Sequence, residues 1–208
     1  MADPTIIAFF ARHGTTVLNA GGMFRGKLNP PLDDKGVADA HKLASLFENI
    51  DLGAIVCSDR TRATQTADII GERKQMTVHK TEQLRALNVG DFSGKPRNKE
   101  NTAALEEYIQ SPCECIPGGE SLNDFKQRIK PCFDEAIELA EEAGKPILMV
   151  AHSSVIHELG DVLYGDHKHI LVEPGGVVAL YVRDGELGAE PIYKPVVPQP
   201  TDRSDTVS

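Results

Sequence analysis

The sequence predicts an α/β fold: a three-layer α/β/α sandwich around a mostly parallel central sheet. Three observations lead there. Short apolar runs at Ile6 to Ala11, Ala54 to Cys57 and Ile147 to Ala151 have the length and composition of buried strands. Stretches with helical spacing of apolar residues alternate with them, which is the pattern of strands joined by crossover helices. The ends of these runs also carry His13, Arg62 and His152. In open parallel sheets, ligands bind at the carboxyl ends of strands.

Taken in order, the first run leads into Arg12-His13-Gly14. From Lys35 to Ile50, Val37, Ala40, Ala44 and Phe47 mark a helix face, with Asp33-Asp34 placed to cap its positive end. Ala54 to Cys57 leads into Ser58, read as a helix cap, with Arg62 on the first turns of that helix. Residues 95–119 are polar, with a weak helical pattern at Ala104, Leu105, Tyr108 and Ile109; they read as a variable cover where substrate choice resides. Leu122, Phe125, Ile129, Phe133 and Ile137 mark a further helix, and Pro131 inside it predicts a kink or break. Ile147 to Ala151 ends in His152, and Ser153 and Ser154 open another helix. Gly175-Gly176 reads as a turn. Val177 to Val182 reads as a late strand, and Asp184-Gly185 as a hairpin leading towards Ile192. One domain over 1–193 is expected, followed by a disordered tail over 194–208 rich in Pro, Asp, Ser and Thr.

Composition narrows the function classes. The net charge is −9 over 208 residues, which argues against nucleic acid or an anionic membrane as a generic partner. The apolar stretch at the N-terminus is too short for a secretory signal and no run reaches spanning length, so a cytoplasmic location is expected. Cys57, Cys113, Cys115 and Cys132 show no paired CxxC spacing. Asp166-His167-Lys168-His169 has metal-ligating residue types but reads as a polar loop. No metal and no cofactor are expected. Homodimer formation is left open.

The chemistry concentrates at the strand ends. A neutral imidazole is a competent nucleophile near neutral pH, and an adjacent guanidinium offers a planar fork for phosphate oxygens. Gly14 lets the backbone approach a ligand closely. Five separated elements then occur in order: Arg12-His13-Gly14-Thr15-Thr16 through Asn19; Phe24-Arg25-Gly26 with Pro31-Leu32; Ser58 through Arg62-Ala63 to Thr66-Ala67; Pro117-Gly118-Gly119-Glu120-Ser121; and Val150-Ala151-His152-Ser153. In this order they resemble the histidine phosphatase superfamily, the group that includes the cofactor-dependent phosphoglycerate mutases, from about Ile6 to about Val182.

The resemblance implies a phosphoglycerate mutase-like fold and a metal-independent phosphomonoester hydrolase whose partner is a small phosphorylated substrate. His13 would be the nucleophile. Arg12, Arg62 and His152 would hold the transferred phosphoryl group. Asn19, Arg25, Gly26, Glu120 and Ser153 would serve the pocket or the substrate. One position departs from the family pattern: Ala86 stands where the family carries its acidic Glu, although Gly90 and Gly94 of that element are present. The proton donor is missing, moved or removed. Asp91, just after Gly90, is the first substitute by sequence and Glu120 the second. Three readings stay open: a hydrolase, favoured because mutases of this family are usually longer; a mutase that returns the phosphoryl group to a second hydroxyl; and a catalytically impaired member that holds a phosphorylated ligand.

Overall fold

Parallel strands need long crossovers, and this chain fills them with helices. The computed structural model describes residues 3–165 and 169–195. The elements run β1 (Thr5–Arg12), α1 (Val17–Ala20), α2 (Asp34–Phe47), β2 (Ala54–Ser58), α3 (Thr61–Lys74), β3 (Val78–Thr81), α4 (Lys99–Gln110), α5 (Leu122–Ala143), β4 (Ile147–Ala151), α6 (Ser153–His157), α7 (Leu159–Tyr164), β5 (Val177–Arg183) and β6 (Glu186–Tyr193). The sheet order is β3-β2-β4-β1-β5-β6. The first four of these strands are mutually parallel; β5 runs antiparallel to both β1 and β6. This is the expected mixed α/β architecture with a mostly parallel sheet.

Period-2 alternation divides the core into two layers. Phe9 and Ala11 of β1, with Leu148 and Val150 of β4, face α2 and α3 through Leu43, Phe47, Ala63 and Ile70. Ala8 and Phe10, with Ile147 and Met149, face α5 through Phe125, Ile129 and Phe133. Among the described residues no helix is long and apolar enough to cross a membrane.

Local expectations fare unevenly. Asp33 caps α2 by accepting from Gly36 N–H, as its sequence position suggests. Val37 is exposed, because the buried stripe runs through Gly36, Ala40, Leu43, Ala44 and Phe47, roughly one residue's rotation away. Ser58 does not cap α3. The helix starts later, behind Arg60, and Ser58 remains the last residue of β2. No break occurs at Pro131. That residue is exposed, and Ile129, Cys132 and Phe133 are buried on either side of it, so packing carries α5 across. Asp184 and Gly185 both take positive φ, the geometry of the expected two-residue hairpin. Of the expected tail only Lys194 and Pro195 fall within the described residues, as does only His169 of the 166–169 cluster.

Candidate active site

The sheet register builds the centre. Arg12 pairs with Ala151 across the parallel β1–β4 ladder, and His13 N–H donates to Ala151 carbonyl. His13 and His152 therefore leave adjacent strands at the same level, on the face that carries Phe9, Ala11, Leu148 and Val150. Their ring centroids lie 5.2 Å apart. The start of α3 packs on that face and supplies Arg62. Arg12 leaves β1 on the opposite face, where Val172 carbonyl accepts from its Nη1 at 2.5 Å.

Each group is fixed by backbone or buried side chains. His13 Nδ1 lies 2.6 Å from the carbonyl oxygen of Gly14 and can only donate to it. That tautomer puts the ring's lone pair on Nε2, which accepts from Arg62 Nε–H at 3.1 Å. Ser58 Oγ accepts from Arg60 N–H and lies 2.9 Å from His152 Nε2. In the tautomer whose Nε2 accepts from Ser58, His152 presents Nδ1–H as a donor; in the other, Nε2–H donates to Ser58 Oγ and Nδ1 is an acceptor. Thr66 Oγ1 accepts from Gly14 N–H and donates to Arg62 carbonyl, tying the nucleophile loop to α3. Gly14 is required by space: a Cβ there would lie 2.3 Å from Gly36 carbonyl oxygen.

The electrostatics are those of an anion site. Burial first, then Arg62, Arg25 and Arg12, hold the His13 pKa well below 6.5, so the ring is neutral. His152 is lowered by burial, then by Arg62 and His13. Burial pulls Arg12 and Arg62 to about 10 and Arg25 to about 9, still cationic at neutral pH. Among the described residues Arg12, Arg25, Arg62 and Arg97 form no ion pair with a carboxylate, though Glu173 acts on Arg12 from a distance. Arg12 Nε, Arg62 Nη2 and His152 Nδ1 are buried with no protein partner. Buried donors normally find an acceptor, so two guanidinium N–H groups without one, with His152 Nδ1 equally unpartnered among the described residues, point to an oxyanion.

The remaining expected residues separate. Arg25 and Asn19 line a cavity of about 470 Å³ with Arg12, and Asn19 Oδ1 also caps α1 through Thr16. Ser153 lines a second cavity of about 540 Å³ that also reaches Arg12. Gly26 and Ala86 line a third, of about 380 Å³. The Ala86 segment is held beside the centre, since Leu87 N–H donates to Ser154 Oγ in α6, the helix that begins after His152. Asp91 is not brought there. It is exposed in a 3₁₀ turn, with its carboxylate beside Gly118, and lines none of these cavities. Glu120 lines the third cavity, but both its oxygens are committed: Arg128 grips them at 2.7 and 3.1 Å, and Asn88 N–H donates at 2.8 Å. Its role is to clamp the Ala86 segment onto α5.

Sequence reasoning missed Arg97, Ser58's bond to His152, and Thr66. Arg97 lies in the polar cover, lines the two larger cavities and stacks over Phe24 at 4.9 Å. No motif surrounds it; only the bridge between Met23 and Pro96 brings its segment over the site. His157, Glu158 and His169 have ligand atoms within 4.8 Å of one another, the spacing of a metal group. However, His157 Nδ1 is bonded to Glu158, Lys126 lies 3.1 Å from that carboxylate, and the two rings stack flat at 3.9 Å. Flat stacking prevents the lone pairs from converging, so the group is an ion-pair network.

Comparison with known proteins agrees with this geometry. The model of the histidine phosphatase superfamily (branch 1) matches residues 8–180. A Yersinia pestis (strain Pestoides F) protein named probable phosphoglycerate mutase GpmB is 30% identical over 166 residues, covering 77% of this chain and 76% of its own. Among solved structures, a mycobacterial glucosyl-3-phosphoglycerate phosphatase in complex with VO₃ superposes with a TM-score of 0.73 at 25% identity, covering 90% of this chain and 97% of that one. The phosphoglycerate mutase of Bacillus anthracis str. Sterne gives 0.75 at 26% identity, with 91% and 94% covered.

Proposed function

The chain belongs to branch 1 of the histidine phosphatase superfamily, and on that basis we propose that it hydrolyses a small phosphomonoester, without a metal ion, through a phosphohistidine at His13. The observation that carries this reading is the pair of buried guanidinium N–H groups without a partner among the described residues, Arg12 Nε and Arg62 Nη2, with His152 Nδ1 also unpartnered, in a site whose imidazole at His13 is neutral. The names of its relatives, a phosphatase and a mutase, belong to the same phosphoryl-transfer class.

In the first step the substrate's phosphoryl oxygens draw Arg62 Nε–H away from His13, and the released Nε2 lone pair attacks phosphorus. A P–N bond forms, the P–O bond to the alcohol breaks, and the departing oxygen keeps the bonding pair. Arg12, Arg62 and His152 Nδ1–H bear the charge on the phosphoryl oxygens, which is the main task in such a transfer. With alanine at position 86 the departing oxygen takes its proton from water. A water molecule then attacks phosphorus, the P–N bond breaks, and inorganic phosphate leaves His13 as free imidazole.

The test is covalent trapping. Rapid quench without acid followed by mass spectrometry should place the phosphoryl group on His13, and His13→Ala should abolish turnover. A phosphoryl group on His152 with His13 unmodified would reverse the assignment. Ala86 favours a second reading, in which the chain binds phosphorylated ligands and turns them over poorly. Phosphate binding without any phosphohistidine would select that one. Transfer to a second hydroxyl of the substrate, rather than to water, would mark a mutase.

A further inference from the structure

Two cavities meet at Arg12, and their chemistry differs. The cavity of about 470 Å³ holds four cations, Arg12, Arg25, Lys35 and Arg97, against one carboxylate, Glu173. The cavity of about 540 Å³ lies between α4 and the 170–173 segment. Among the described residues its charges balance, Arg12 and Arg97 against Glu106 and Glu173, and its walls include Leu105, Ile109, Ile170, Leu171 and Val172. His157 lines it too, its ring backed by that of His169.

We propose that this second cavity is the subsite for the departing alcohol and that it takes an aryl body, so that the preferred substrates are aryl-type phosphomonoesters rather than phosphates of short hydroxy acids. The inference rests on the hydrolytic reading above and adds the substrate class to it.

Three independent features converge. The first is the wall: Leu171 is 79% exposed, an apolar side chain left to water at the rim of a concave site beside a charged centre. Binding pockets have this pattern, apolar walls with a few polar groups that fix orientation. The second is size. An apolar cavity of about 150 Å³ admits benzene, so 540 Å³ leaves room for a substituted ring. The third is the absent acid. A phenolate departs with its bonding pair and collects a proton from solvent afterwards, whereas an alkoxide needs the proton as it leaves. A chamber with an apolar wall and a centre without a proton donor at position 86 therefore suit the same class of leaving group.

Para-alkylphenyl phosphates test this, because lengthening the alkyl chain adds apolar surface while the phenol's acidity stays constant. Each added methylene should raise kcat/KM about fourfold, mainly through KM. Leu171→Asp, a change at an exposed position, should flatten the series while inorganic phosphate still raises Tm as in the parent. A flat series in the parent, or faster turnover of 3-phosphoglycerate than of phenyl phosphate, with phosphohistidine still formed on His13, overturns the subsite alone. Absence of both phosphate binding and phosphohistidine overturns the hydrolytic reading and takes the subsite with it.

Discussion

Replacing Arg62 with leucine should make the ligand-free protein more stable and the enzyme inactive. Arg62 is fully buried, and burial is the largest influence on its pKa, followed by Arg60 and Arg12. It remains a cation at neutral pH with no carboxylate partner. A buried charge without a counter-charge costs several kcal/mol even after relaxation. Against this, Arg62→Leu would lose the bonds to His13 Nε2 and to Leu28 carbonyl, both 3.1 Å in the parent. Two such charge-assisted bonds contribute about 3 kcal/mol together at the lower end of their range, and the shorter side chain leaves a small void worth about 1 kcal/mol. With the burial cost at about 5 kcal/mol the balance favours the variant by about 1 kcal/mol, or roughly 2–4 °C in Tm for a domain of this size. Phosphate should reverse the order. At a hundredfold excess over Kd it adds about 2.7 kcal/mol to the parent, and little to a variant that lacks the main donor. Thermal unfolding at pH 7.5 in low salt, with and without phosphate, reads both effects. A variant less stable than the parent in the absence of phosphate refutes the claim that this arginine is held at the expense of stability.

Three further outcomes follow from the same geometry. Ala86→Glu should raise turnover of alkyl phosphates by about 10²-fold or more while changing aryl phosphates little, and Asp91→Asn, exposed and away from the histidines, should change neither; a loss of activity in Asp91→Asn would restore that residue as the acid. His13 and His152 have folded pKa values depressed below 6.5. The unfolded chain therefore binds protons first as pH falls, so denaturant midpoints should be level above about pH 7 and stability should drop below pH 6.5 by about 1.4 kcal/mol per pH unit for each histidine; in His152→Asn that slope should be about halved. Exhaustive dialysis against a chelator should leave turnover intact, and loss reversed by magnesium would overturn the metal-independent reading.

The chemistry was legible in the sequence because it sits on elements with strict periodicity. Strand ends after Ala11 and Ala151 carry His13 and His152, and two strands in register must deliver both to one face. Arg62 follows from the start of a helix after the neighbouring strand. What failed was proximity inferred from chain position. Asp91 is close in sequence to the place of the family's acid, yet the 3₁₀ turn sends it to solvent. Glu120 lies in a recognisable element, yet Arg128 on α5 claims its carboxylate. Arg97 was invisible for the converse reason: it stands in a polar stretch with no pattern, and only the bridge of Pro96 to Met23 brings it over the centre. Pro131 shows that a local rule yields where buried neighbours on both sides hold the helix.

The β1–β4 register has a consequence for how this molecule can change. Side chains alternate between the faces of a strand, so one extra residue in β1 would turn His13 towards α5 and put Arg12 in its place. Such an insertion would be a chemical lesion although it alters no side chain. The stretch between Lys95 and Gly119 obeys no such constraint, for it adds no strand to the sheet and packs on the core through side chains of α4 and Ile116. Lengthening or exchanging it leaves the distance between the two histidines untouched. Divergence, natural or directed, thus has a free parameter and a frozen one: new substrates by rewriting the cover, and a single way of handling phosphorus set by strand spacing.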